Sequence, residues 1–548
     1  MKTNGRDRAA ERDQYLSILA RQLPSARLSQ ILASPDPGRL IRAMPALSLY
    51  YDLIEVGLAE AGEVVRFATP EQFRTFVDLG GWARNQLSLE ETVKWIRAAR
   101  GTDLDEFLAK IHALDTEVLE LLLRRGIIVH SLEEDPDVNP AGVVMEMPEG
   151  KYLIEFPLQG EELGALRSLV SDLVSENPFE AVRFFEALRW ELPSELEETA
   201  LQFRRGRLED LGFPPLEEAV ALFSFLNPDP EAPATQPAAA QIQPVGDTPD
   251  YWQLAYQSLE DEEREAAQQE LRYLANSALV AEGAEPGDPA SIRRGTEMAR
   301  DYLQLGLEFA TGGDPKRGAQ LIQERPLRRI FQTGFSLALR VKFRAERLLK
   351  HPLARVDDGY LLFPPEAAWV DAVRLTRPRR PARVEGADPV PFRSRHEIAE
   401  AEAALGRAEQ QVAIFQSLLG GTGEAARRAL QRFAAPLSEI GAELLFRAIV
   451  AHALLDGRVE AKPVPRARLV QLCERLFEIK DGSVVVRQSA KSTVLSILAA
   501  TIPDPARPEL ARLVELTAEA LLVELGGAYL AGDFSSPQLG AVLPISGR

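Results

Sequence analysis

Apolar positions recur along this chain mainly at helical spacing. The longest run is Ile398, Ala401, Leu405, Ala408, Val412, Phe415 and Leu419. Its alternating steps of three and four predict one apolar stripe along a single helix. Small Ala401 and Ala408 between larger side chains point to close packing inside a bundle, with a dimer seam as the alternative. Nearer the start the periodic segments are shorter and broken by proline: LARQLPSARLSQILASPDPGRLIRAMPALSLYYDLIEVG, FATPEQFRTFVDLGGW, SLEETVKWIRAARG and ALDTEVLELLLRRG. Thr69 before Pro70 and Ser88 before Leu89 suit helix N-caps, so short helices joined by tight turns are expected. Pro24, Pro45 and Pro70 are unevenly spaced, which favours stacked helical hairpins over a strict repeat.

Alternation with period two replaces the helical period at Val143–Phe156. A turn at Glu149-Gly150 places Met147 opposite Tyr152, Met145 opposite Ile154 and Val143 opposite Phe156, a β-hairpin with one apolar side. The stretch 227–249 holds six prolines and no apolar period, and reads as an extended linker. The expected fold is mainly α, with two helical halves either side of this linker and a single β-hairpin in the N-terminal array. The segments are a short-helix array at 1–131, hairpin and helices at 132–226, the linker, and a helical domain with a basic helix at 250–350. An irregular Arg/Pro-rich segment at 351–396, a bundle at 397–532 and a disordered tail at 533–548 follow.

Composition narrows the chemistry. One cysteine, Cys473, among 548 residues excludes an internal disulfide or thiolate metal cluster. The first residues lack the apolar core of a signal peptide, and no stretch reaches the length of a membrane span. A cytoplasmic protein without membrane insertion is expected. The formal net charge of −19 is unevenly distributed: residues 325–395 hold 16 basic and seven acidic side chains, leaving −28 on the remainder. Such a segment should attract something anionic. The acidic remainder of the chain is the first expected partner, then an acidic protein, then nucleic acid. Arg340, Arg344 and Arg347 share one face of the basic helix, and Arg377, Arg379, Arg380 and Arg383 form an arm with Trp369 and Phe392 nearby in sequence.

Between Pro193 and Pro228 the chain reads PSELEETALQFRRGRLEDLGFPPLEEAVALFSFLNP. Glu197-Glu198, Arg204, Arg207-Leu208, Asp210-Leu211-Gly212-Phe213 and Glu218-Ala219, with the hairpin and the ATPEQ, VDLGGW and SLEETVKWI stretches, resemble a family of large helical bacterial proteins carrying only a domain-of-unknown-function label. That likeness spans about residues 15–228 and implies a shared fold without an activity. The proline-punctuated hairpins are more faintly similar to the cytosolic superhelical domain of bacterial magnesium transporters, without their membrane segments. On the residues themselves, pairs Arg205–Glu209 and Arg207–Asp210 are expected along a helix surface, and Gly212 before Phe213-Pro214-Pro215 is a helix stop. Arg204 and Arg207 are the candidate anion or partner contacts here.

Catalytic signatures are missing. His112, His130, His351, His396 and His452 have no partner at a recognised metal-ligand spacing, and no phosphate-binding loop has its required residue order. Cys473 falls on the apolar side of a helix, where a buried thiol is unreactive. No cofactor, metal or catalytic residue is therefore expected. The reading is a noncatalytic interaction or scaffold protein, with a protein partner of unspecified identity. The alternatives are a nucleic-acid-associated regulator using residues 325–395 and an enzyme whose site is assembled from distant residues.

Overall fold

Proline and capping residues divide the first part of the chain into helices of about ten residues. Thr69 accepts the Gln72 amide while the Gln72 side chain accepts the Thr69 amide, starting the helix Pro70–Gly80, a reciprocal cap. Ser88 caps Leu89–Ala99 one way, its hydroxyl accepting the Glu91 amide. The computed structural model describes residues 23–227, 250–356, 359–384, 386–421, 423–433, 437–534 and 543–546. Nearly all of the expected linker lies outside these described residues.

The architecture is mainly α with small sheets. Val143 pairs with Phe156 and Met145 with Ile154, and the Met147 amide donates to the Tyr152 carbonyl. This is the register that the alternation indicates. The hairpin gains a third strand, Ile128–Ser131, on the free edge of Tyr152–Phe156, which supplies the packing that an isolated hairpin lacks.

By internal packing the chain forms two compact units: 1–223 with 265–299, and 224–264 with 300–548. Each contains residues from both sides of the proline-rich stretch. In the first, Tyr50, Phe76 and Trp95 are fully buried, with the Trp95 ring 5.3 Å from Phe76 and 5.6 Å from Tyr50. The close approach requires Gly80, where a Cβ would lie 2.5 Å from the Trp95 indole nitrogen.

In the second unit, every member of the predicted stripe from Ile398 to Leu419 is buried, and the helix carrying it runs Arg395–Leu418. The basic helix runs Leu327–Leu349. It crosses the helix Pro289–Thr311 at two glycines: a Cβ on Gly306 would lie 2.1 Å from the Ile330 carbonyl oxygen, and one on Gly334 the same distance from that of Tyr302. Of the expected tail at 533–548, residues 535–542 and 547–548 lie outside the described residues. Ile545–Ser546 pairs in parallel with Val464–Pro465, and Leu543 is fully buried. Leu543 thus packs into the core at a position whose sequence context reads as a tail. Among the described residues no helix is long and apolar enough to cross a membrane.

Candidate functional site

The segment with the strongest sequence signal folds as the helix Pro193–Asp210, stopped as expected at Gly212, whose φ is 89° and which only glycine adopts without strain. Arg204 and Arg207 point inward from it. Arg207 grips Asp78 with Nε 2.7 Å from Oδ2 and Nη2 2.8 Å from Oδ1, and reaches Asp115 at 2.7 Å. These partners replace the expected pair with Asp210. Arg204 is 2% exposed. Its Nε donates to the Asp78 carbonyl at 2.7 Å, its guanidinium lies 5.1 Å from the Trp82 ring centre, and Nη2 is 3.8 Å from Glu285.

Burial pushes the Asp78 carboxyl up against the opposing pull of Arg207. Burial likewise works against the Arg207 charge, but Asp78 and then Asp115 outweigh it and hold that guanidinium above its ordinary value. Arg204 is drawn down by burial, with Glu285 and Asp78 opposing. Two guanidiniums thus face three carboxylates, so the cluster has no surplus positive charge for an external anion. Its chemistry is that of a clasp joining the helices Pro70–Gly80 and Pro193–Asp210.

The basic helix is partly neutralised within its own unit. Arg344 makes two hydrogen bonds to Glu409, at 2.8 and 2.7 Å, and a third to the Glu402 carbonyl. Arg340 donates to Asn227 at 3.2 Å. Arg347 is exposed, beside Arg344 and His351 along a shallow groove. In the Arg/Pro-rich segment, Arg380 pairs with Glu397 at 2.9 Å and its backbone bridges to Val390. Arg379 donates to the Pro389 carbonyl and Arg377 is half-buried, whereas Arg383 is exposed. Phe392 is fully buried with its ring 6.5 Å from that of Trp369. Phe392 therefore offers no exposed face for stacking on a base, while Trp369 is half-buried.

A buried polar network occupies the same unit. The Gln411 amide donates to Glu366 at 3.0 Å and to Glu509 at 2.7 Å, while its oxygen accepts the Phe363 amide. Arg512 contacts both carboxylates and Arg407 contacts Glu366. Two acids meet two arginines, which leaves neither carboxylate as a free base.

His452 has a partner at ligand spacing after all. Its Nδ1 lies 2.8 Å from Asp456, and His452, Asp456 and Glu460 bring ligand atoms within 4.8 Å of one another. Each carboxylate already has a cation: Arg468 is 2.7 Å from Asp456, and Lys462 pairs with Glu460. Hydrogen bonds from His452 and Arg468 hold Asp456 below the usual carboxylate range, and Lys462 does so for Glu460. A divalent ion would have to displace both cations, so the geometry favours an ion-pair cluster. Cys473 is fully buried, and burial pushes its thiol up to about 12, far from a nucleophilic thiolate.

A model of the family described as a family of unknown function, DUF6178, matches residues 4–543. The chain belongs to that family. Comparisons with curated proteins and with solved structures return no match, so the magnesium-transporter likeness gains no support.

Within this DUF6178 chain, sequence reasoning found the two clasp arginines and missed their acids. Asp78 is 129 residues from Arg207, and only its place in VDLGGW hinted at a role. The four-residue steps between His452, Asp456 and Glu460 were the overlooked signal for that cluster.

Glu120 was also missed. It is buried on the helix Thr116–Gly126, and burial, then the charges of Glu191 and Glu117, push its carboxyl from 4.5 to about 7. An acid with a raised folded pKa costs nothing below its ordinary value and increasingly destabilises the fold as pH rises through this window. Glu120→Gln should therefore melt above the wild type at about pH 8, with the gap closing towards pH 4.5. Melting curves across that range test this, and a gap independent of pH would refute it.

Proposed function

We propose that this protein is a noncatalytic interaction or scaffold protein. One observation carries the reading: Phe179 and Trp190, at the two ends of the helix Pro178–Trp190, are 74% and 70% exposed. Eleven residues correspond to about 20° of net rotation at 3.6 residues per turn, so both aromatics lie on one face. The Arg189 guanidinium sits 5.3 Å from the Trp190 ring centre. Exposed aromatics accompanied by arginine are the side chains that concentrate binding energy in protein interfaces. The charge clusters described above are balanced internally, and among the described residues they leave no assembled acid-base or nucleophile set, which supports the reading.

Copurification of the full chain from cells at mild salt tests this, with Phe179→Ser/Trp190→Ser compared alongside. The wild type should recover a stoichiometric partner or self-associate, and the folded double variant should lose that association. Recovery of the bare monomer in both cases would reject the reading.

A further inference from the structure

The second unit contains a cavity of about 440 Å³ between the helices Pro289–Thr311, Pro315–Glu324 and Leu327–Leu349. Its walls are mostly apolar, with Leu226, Ala310, Leu321 and Ile330 prominent, and Arg325 and Arg329 also line it. That volume is in the range of roughly 300–1,000 Å³ typical of small-molecule pockets. Its other polar groups have partners. Asn227 accepts from Arg340, and the Thr333 hydroxyl donates to the Arg329 carbonyl. The Leu226 amide donates to the Ser336 hydroxyl at 2.8 Å, fixing that wall.

The two guanidiniums are different. Both arginines are exposed, no carboxylate lines the cavity, and neither side chain has a hydrogen-bond or ion-pair partner among the described residues. Glu324, adjacent in sequence, is engaged by the Gln320 amide at 2.7 Å. The Arg344 groove, by contrast, contains a carboxylate, Glu409, which pairs with Arg344. The helix starting at Leu327 adds to the positive field, because its first turn has no acidic residue and Pro326 supplies no side-chain cap.

We infer that this cavity binds a small amphipathic anion: an apolar body against Leu226, Leu321 and Ile330, and a carboxylate or phosphate head held by Arg325 and Arg329. Charge complementarity selects the head, since two adjacent cations without a counter-charge favour an anionic group. The apolar wall selects the body, because burial there removes hydrocarbon from water.

Calorimetric titration of the full chain with octyl phosphate, octanoate, octanol and inorganic phosphate separates these contributions. Octyl phosphate or octanoate should bind, the preferred head identifying the ligand class. Octanol and inorganic phosphate should each be roughly tenfold weaker or worse. Arg325→Gln/Arg329→Gln should lose roughly tenfold in affinity for the anionic amphiphile, as expected for lost charged hydrogen bonds, while its melting temperature stays near wild type. Ala310→Leu, which narrows the cavity and leaves both arginines in place, should weaken binding as well. Failure of both anionic amphiphiles to bind at millimolar concentration would overturn the inference. So would equal affinity for octanol, or unchanged affinity in either variant.

Discussion

Replacing Arg207 with alanine is expected to destabilise the first unit by about 3–5 kcal/mol at neutral pH, the loss typical of removing one partner from a buried ion pair. The side chain of Asp78 is 4% exposed and receives two hydrogen bonds from Arg207. Arg204 touches only its backbone carbonyl through Nε. Without Arg207 the carboxylate would have no direct cationic partner on its oxygens and would be driven to take up a proton. The sign of the pH dependence follows. Burial already raises the Asp78 pKa above its ordinary value of 3.8, and the variant should raise it further. The additional penalty should thus be full at neutral pH and fade as pH falls towards the unfolded value. Denaturant titrations of both proteins, with hydrogen exchange followed in peptides from 70–80 and 193–210, would measure this. A variant within about 1 kcal/mol of wild type at neutral pH would show that the clasp contributes little beyond an exposed pair.

Gly334→Ala is expected to destabilise the second unit even though alanine is the better helix former by about 1 kcal/mol. The added methyl would lie 2.1 Å from the Tyr302 carbonyl oxygen and 2.9 Å from the Gly306 amide nitrogen. Backbone atoms cannot rotate aside as a side-chain tip can, so the two helices must separate. Overpacking of this kind costs about 1–3 kcal/mol beyond the helix-propensity gain. Gly334→Val should cost more than alanine, since it adds bulk and a β-branched side chain at the same crossing. Gly527→Ala is the control in the same unit: the position is exposed in the helix Arg507–Ala531 and its Cβ would meet nothing within 4 Å. It should gain up to about 1 kcal/mol. Melting temperatures that rise for both Gly334→Ala and Gly527→Ala would remove the case for a tight crossing.

What was legible in the sequence was what short-range periodicity encodes. The stripe from Ile398 to Leu419, the hairpin register at Met145 and Ile154, the caps at Thr69 and Ser88 and the stop at Gly212 each depend on neighbours within a few residues. Packing between distant segments leaves little periodic trace. Arg207 looked like a surface residue because Asp210 is three positions away, whereas burial of the helix face turned it towards Asp78 and Asp115 instead. Gly306 and Gly334 were silent for a related reason: an isolated glycine within a helical pattern does not identify the backbone that it approaches. The basic segment stood out by composition, but composition could not show that Glu409 and Glu397 already balance Arg344 and Arg380. Nor could it show that Arg325 and Arg329 share a cavity without such a carboxylate.

The way the chain is shared between the two units bears on its synthesis. The first unit includes residues 265–299, and the Tyr50 hydroxyl donates to the Gly287 carbonyl at 2.9 Å. A nascent chain that has emerged only through residue 227 therefore lacks the segment that receives Tyr50 and Tyr51 through Pro286 and Gly287. Its first unit has to wait, with part of that surface uncovered, while the ribosome adds about seventy further residues, which takes several seconds at roughly 5–20 residues per second.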